Sequence, residues 1–298
     1  MLHVTNGTSV SLRETGIPGD VLPWLDILHE GPVPAGLNAE ELRRVRGLYL
    51  DAEWPGTAPA ELELAHRDAL LDASDDITLW FEHDLFDQLQ LIQILDRMRF
   101  AGGRVTLICT DRYLGPMTAH ELAALWPSRR AVSNQEFDLA GRAWEAFCSP
   151  DPTAIEKLLD GDTSALPFLT GALRRHLQQF PSVESGLART ERQILEAASE
   201  DDRDFGALFL AEQSLEDRVF MGDSSLRRWM QGLIACRHPL LSEHGGIYRV
   251  TSLGREALAG KVDHLRLNSI NRWLGGVHLI GNEVLWRWDE AAGRLQLK

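Results

Sequence analysis

Ile77-Thr-Leu-Trp-Phe-Glu-His-Asp-Leu-Phe-Asp-Gln88 is the stretch on which the reading of this chain turns. Ile77 to Phe81 is an apolar run of strand length, and it ends abruptly in Glu82, His83 and Asp84. A helical pattern follows at once: from Asp87 to Phe100, Leu89, Ile92, Leu95 and Met98 fall on one face. A buried strand that delivers three ionisable groups at its exit places them against a cleft or against each other, because leaving them buried and unpaired is costly.

Outward from this point the N-terminal half alternates strands with helices. Leu2-His-Val-Thr predicts a first strand ending at Asn6-Gly7, and Val21 to Leu28 a second, ending in the turn His29-Glu30-Gly-Pro. Residues 39–52 and 60–73 read as helices, Val105 to Cys109 as a strand closing in Thr110-Asp111, and Ala119 to Trp126 as a further helix. The alternation predicts an α/β domain with a mostly parallel, Rossmann-like sheet covered on both faces. Polar groups gather where each strand ends: His3 and Asn6, then Asp26, His29 and Glu30, then Glu82, His83 and Asp84, then Asp111. Ligands of open α/β sheets bind outside the carboxyl ends of the strands, so these exits predict one common pocket.

The simpler alternative is local. Asp84 and Asp87 can cap the following helix, Asp111 can do the same in its own turn, and His29-Glu30 can belong to an ordinary polar turn. As a cluster the residues carry more than they do singly. His29, Glu30, Glu82, His83 and Asp84 are the candidate catalytic groups, with His83, Asp84 and Glu30 as candidate ligands for a divalent metal. His3, Asn6, Asp26, Asp87 and Gln88 are candidates for holding substrate. A histidine beside a carboxylate can also serve as general acid or base. Asn6-Gly7-Thr-Ser offers donors that suit a phosphate, although the chain has neither a P-loop nor a G-x-G-x-x-G pattern. The pair His83-Asp84 resembles the signature of metal phosphohydrolases whose sites lie on helical bundles; here it leaves a strand, and that assignment is rejected. A serine nucleophile elbow and a paired-cysteine motif are both absent.

The formal net charge of −14 is unevenly placed. Residues 1–162 hold 13 Lys/Arg against 27 Asp/Glu, and residues 163–298 hold 17 of each. The acidic half is thereby a poor grip for a phosphate backbone, which is bound through cations. No run approaches the roughly 20 apolar residues of a membrane span, and Cys109, Cys148 and Cys236 lack the spacing of a zinc site or a disulfide framework. The expectation is a cytoplasmic protein with no membrane partner.

Beyond residue 132 the pattern turns helical. Phe137, Ala140, Trp144 and Phe147 mark a helix from Gln135 to Cys148, and shorter helices follow to Leu159 and from Leu169 to Phe180. Thr190-Glu-Arg-Gln matches a capping box. A second helix over about 203–213 and a third from Leu226 to Ala235 precede a hairpin at Gly245-Gly246 and a last helix from Thr251. Three helices and a hairpin resemble the winged helix of bacterial regulators; in a DNA reader Arg227, Arg228 and Gln231 would face the groove and Arg249 the phosphate. The tail predicts a hairpin around Asp289–Gly293 that carries Trp286 and Trp288 on one face.

His3-Val-Thr-Asn-Gly, Asp26-Ile-Leu-His-Glu-Gly-Pro and Trp80-Phe-Glu-His-Asp-Leu-Phe-Asp-Gln-Leu resemble, as a set, the uncharacterised bacterial family carrying the domain of unknown function 1835. Leu166-Pro-Phe-Leu, Leu173-Arg-Arg-His-Leu and Gly186-Leu-Ala-Arg-Thr-Glu extend the likeness over most of the chain. The resemblance implies an α/β N-terminal domain and brings no established activity. The expected organisation is an α/β domain at 1–132, a helical bridge at 133–186, a winged-helix-like domain at 187–262 and a tryptophan-rich tail at 263–298. Two functions fit it. One is a metal-assisted hydrolase or transferase acting on a phosphorylated or nucleotide-like small molecule. The other is a ligand-sensing regulator whose C-terminal domain binds DNA or a protein.

Overall fold

The computed structural model describes residues 1–100, 102–283 and 285–298. The chain divides into two compact units, one of residues 1–173 with 275–277, the other of 174–274 with 278–298.

The first unit is built on a mixed α/β plan. Its strands are β1 (Leu2–Thr5), β2 (Asp20–Pro23), β3 (Gly31–Pro32), β4 (Asp76–Phe81), β5 (Arg104–Cys109) and β6 (Arg130–Ala131). Its helices are α1 (Ala39–Glu53), α2 (Ala60–Asp72), α3 (Leu85–Met98), α4 (Ala119–Leu125), α5 (Asn134–Cys148) and α6 (Thr153–Leu159). The principal sheet runs β2-β1-β4-β5-β6, parallel throughout except for the antiparallel edge strand β6. Ile77 to Phe81 is buried at every position, as a central strand covered on both faces must be. α3 is nearly as buried, and it packs against α5.

The order of the strands fixes where a ligand can enter. From β1 the chain goes to β2 on one side and returns to β4 on the other, so the direction of winding reverses between β1 and β4. The loops leaving two such strands diverge and open a crevice at their carboxyl ends. Asn6 leaves β1 and Glu82 leaves β4, so both stand at its mouth.

Two expectations are corrected here. The second strand stops at Pro23 rather than Leu28, because the backbone turns at Leu25 (φ +58), which a strand cannot hold. The segment from Asp26 to Glu30 is therefore a loop beyond the sheet. The segment 263–298 also holds more strand than its hairpin.

In the second unit α7 (Leu169–Leu177) leads in from the first. Then come α8 (Arg189–Glu200), β7 (Arg203–Asp204), α9 (Phe205–Gln213), α10 (Asp223–Ala235), β8 (Leu241–His244), β9 (Ile247–Val250) and α11 (Ser252–Leu258). β7, β9 and β8 form a three-stranded antiparallel sheet. Short α12 (His264–Leu267) precedes β10 (Ile270–Gly275) and β11 (Val277–Gly281), and β12 (Trp286–Asp289) pairs with β13 (Arg294–Leu297). Gly275, the last residue of β10, and Gly276, both of the first unit, are required by contact there: a Cβ at Gly276 would lie 1.8 Å from the Cys148 carbonyl oxygen, and Gly275 adopts φ +60 against Phe147. No helix among the described residues is long and apolar enough to cross a membrane.

Candidate functional site

The exit of β4 and the first turn of α3 bring Glu82, Asp84 and Asp87 together. One carboxylate oxygen from each lies within 4.8 Å of the others, and all three residues are buried. Local sequence explains the convergence. Asp84 is the N-cap of α3, extended in backbone and accepting the Asp87 N–H at 3.1 Å. One turn on, Asp87 folds back so that its Oδ1 accepts the Glu82 N–H at 2.7 Å, while its Oδ2 accepts from Asn6 Nδ2 at 2.6 Å. Glu82 reaches the other way and accepts the Leu114 N–H at 2.7 Å. The Asn6–Asp87 bond joins the exits of β1 and β4 across the crevice. Gln88 closes the floor, donating to the Glu82 carbonyl at 2.6 Å.

The cluster is well supplied with N–H donors. Among the described residues no lysine or arginine forms an ion pair with any of the three. Desolvation pushes each carboxyl up. The Asp84 carboxyl rises to about 7, Asp87 stands well above the carboxylate range with Asp84 and Glu82 adding to its burial, and Glu82 is raised against the pull of its backbone donors. Carboxyls raised in this way hold their protons to higher pH than free ones, and a bound cation would displace them. The oxygen-only ligand set suits a hard divalent ion such as Mg²⁺ or Mn²⁺. Burial pushes the thiol of Cys109, beside Gln88, up to about 12 and disfavours its thiolate.

The remaining candidates are dispersed. His3 sits within β1, its Nδ1 accepting from Trp80 Nε1 at 3.2 Å and its ring edge-on to Trp80 and Trp126. Asp26 is gripped by Arg46, at 3.0 Å from Nε and 2.7 Å from Nη2. His29 packs edge-on to Phe86, with Nε2 3.9 Å from the Glu30 carboxylate. The His83 ring faces Tyr113 and Phe168. Asp111 is exposed. Of the three expected metal ligands, His83, Asp84 and Glu30, only Asp84 is in the carboxylate group; Glu82 and Asp87, expected in other roles, complete it.

The chain matches no protein-family model and no curated protein.

Proposed function

We propose that the Glu82–Asp84–Asp87 cluster holds a divalent cation and that the chain is a metal-assisted hydrolase or transferase of a phosphorylated or nucleotide-like small molecule. One observation carries the reading: three mutually close, buried carboxylates, with no ion-paired Lys or Arg among the described residues, stand at the point where the sheet's winding reverses. A cation there would supply charge neutralisation, an orienting centre for phosphoryl oxygens and an activated water. Asn6 would position Asp87, and the exposed Thr8 and Ser9 in the loop after β1 would meet the ligand's phosphate. Kinship with the family of the domain of unknown function 1835 remains part of this proposal, on the motifs alone.

The test is calorimetric titration of Mn²⁺ and Mg²⁺ into the metal-free protein at pH 7 in two buffers of different ionisation enthalpy. Binding that releases protons, since the cation displaces them from raised carboxyls, is the expected result. Asp84→Asn and Asp87→Asn each abolish it with an intact circular-dichroism spectrum. No binding at millimolar metal ends the enzyme reading.

The regulator is the second reading, supported by the order of helices and three-stranded sheet in 189–258, which suits a winged helix. Arg227 and Arg249, two of the residues expected at DNA, are engaged within the unit. The Arg227 guanidinium lies 3.3 Å from the centre of the Phe205 ring, and Arg249 pairs with Asp202. That favours a protein partner over DNA. Binding of random duplex at low salt, read by gel shift, distinguishes the two.

A further inference from the structure

A cavity of about 190 Å³ opens beside the C-terminal half of α3, where Gln93, Asp96 and Arg97 line it. Asp87 and Gln93 are six residues apart on that helix, about 9 Å of rise, so the cavity is separate from the carboxylate cluster. Its volume is below the roughly 300–1,000 Å³ that takes a drug-sized ligand, and its occupant must be small. Trp24, Leu42, Leu64 and Trp144 supply apolar wall.

Four arginines and three aspartates also line it, and most of their charge is committed. Arg46 is used up on Asp26 and on the carbonyls of Ile27 and Glu30. Arg67 grips Asp68 through Nε and Nη2, gives Nη1 to the Trp24 carbonyl and lies over the Trp24 ring. Arg97 is bidentate on Asp72 and 3.3 Å from Asp68. Two lining groups have capacity left. Among the described residues Arg43 is held through Nη1, at 3.1 Å from Asp68, and no partner takes its Nε and Nη2 edge. The half-buried Asp96 carboxylate takes no hydrogen bond among the described residues, and the nearby Arg99 is tied to Asp138 at 2.6 Å. Gly141, whose Cβ would come within 3.2 Å of Asp96 Oδ1 and 2.8 Å of Arg99 Nη1, keeps that corner open.

A guanidinium edge and a carboxylate without hydrogen-bond partners among the described residues, on one small cavity with an apolar wall, select a molecule with both charges. We propose that this cavity binds a small zwitterion with an apolar side chain, of the free amino-acid type, its carboxylate on Arg43 and its ammonium on Asp96. Charge-assisted hydrogen bonds at both ends set the orientation, and Leu42, Leu64 and Trp144 receive the side chain.

The experiment is calorimetric titration of the full chain with L-leucine, with 4-methylpentanoate, which lacks the amine, and with 3-methylbutylamine, which lacks the carboxylate. Leucine is expected to bind, and each truncated analogue to bind at least about tenfold more weakly, the loss of one charge-assisted contact. Asp96→Asn and Arg43→Gln should each weaken leucine by about the same factor, while Asp84→Asn leaves leucine binding unchanged. Asp96→Asn is nearly isosteric and decides the matter by itself if Arg43→Gln does not fold. No leucine binding at about 10 mM overturns the proposal. So does equal binding of 4-methylpentanoate, which would make the cavity a simple anion site, or an Asp96→Asn variant that binds as the wild type does.

Discussion

Asp84→Asn should stabilise the metal-free protein at alkaline pH and leave it unchanged in acid. The Asp84 carboxyl loses its proton at about 7 in the fold and near 3.8 in the unfolded chain, with desolvation the largest cause. A folded-state value raised above the unfolded one means that between those limits the native protein holds a proton the unfolded chain has released. Stability is therefore fully present below about pH 4 and is lost as pH rises towards 7, the reverse of the usual salt-bridged aspartate. At 1.36 kcal/mol for each pH unit the interval is worth on the order of 4 kcal/mol, an upper figure because the neighbouring Glu82 and Asp87 share the same protons.

Asparagine keeps the N-cap acceptor for the Asp87 N–H and removes only the charge, so the substitution isolates this effect. The assay is urea unfolding of both proteins in chelator at pH 4.5, 6 and 8. The curves should differ by no more than about 1 kcal/mol at pH 4.5, and at pH 8 the variant should be the more stable by a few kcal/mol. Mn²⁺ at about 1,000 Kd should cancel that difference at pH 8, since it adds roughly 4.1 kcal/mol to the form that binds it. A variant less stable than wild type in chelator at pH 8, or a wild type whose stability does not fall between pH 5 and 8, refutes the claim that these carboxylates are desolvated without a counter-charge.

Arg46→Ala should cost about 3–5 kcal/mol by leaving Asp26 buried beside only the more distant Arg67, and adding Asp26→Asn should restore part of it; a thermodynamic cycle from urea unfolding measures the coupling. Gly276→Ala should lower stability by about 3 kcal/mol or more through its collision with the Cys148 carbonyl. Gly206→Ala, on the exposed surface of α9 with nothing closer than 3.6 Å, should by contrast raise it by roughly 0.5–1 kcal/mol in the same measurement.

The α/β plan was legible because its signals are local. Ile77–Phe81, the amphipathic run after it and the Gly102-Gly103 break report a strand, a helix and a turn without reference to anything distant, and the parallel sheet follows from their alternation. The strand expected through Leu28 failed for a reason no periodicity carries: Leu25 takes a positive φ, and the apolar residues around it are buried by a loop packed on α1 and α3 through Arg46 and Gln90. β10 and β11 escaped the reading because their register depends on Gly275-Gly276 meeting Phe147 and Cys148, more than a hundred residues earlier.

The site was legible as a set of residue types and not as a partition of them. Sequence places Asp26, Glu82, Asp84 and Asp87 equally near strand ends, and all four are buried. What separates them is the company supplied by distant helices. Arg46 and Arg67, 20 and 41 residues beyond Asp26, convert it into half of an ion-pair network, whereas no cation arrives at Glu82, Asp84 or Asp87 among the described residues. The signal in the sequence was thus the arginines of α1 and α2, at positions whose helical faces turn toward the loop from Trp24 to Pro32. Read together with the acids, they leave the β4 exit as a place where carboxylates are buried with no cation among the described residues, and a cation would stabilise such a group.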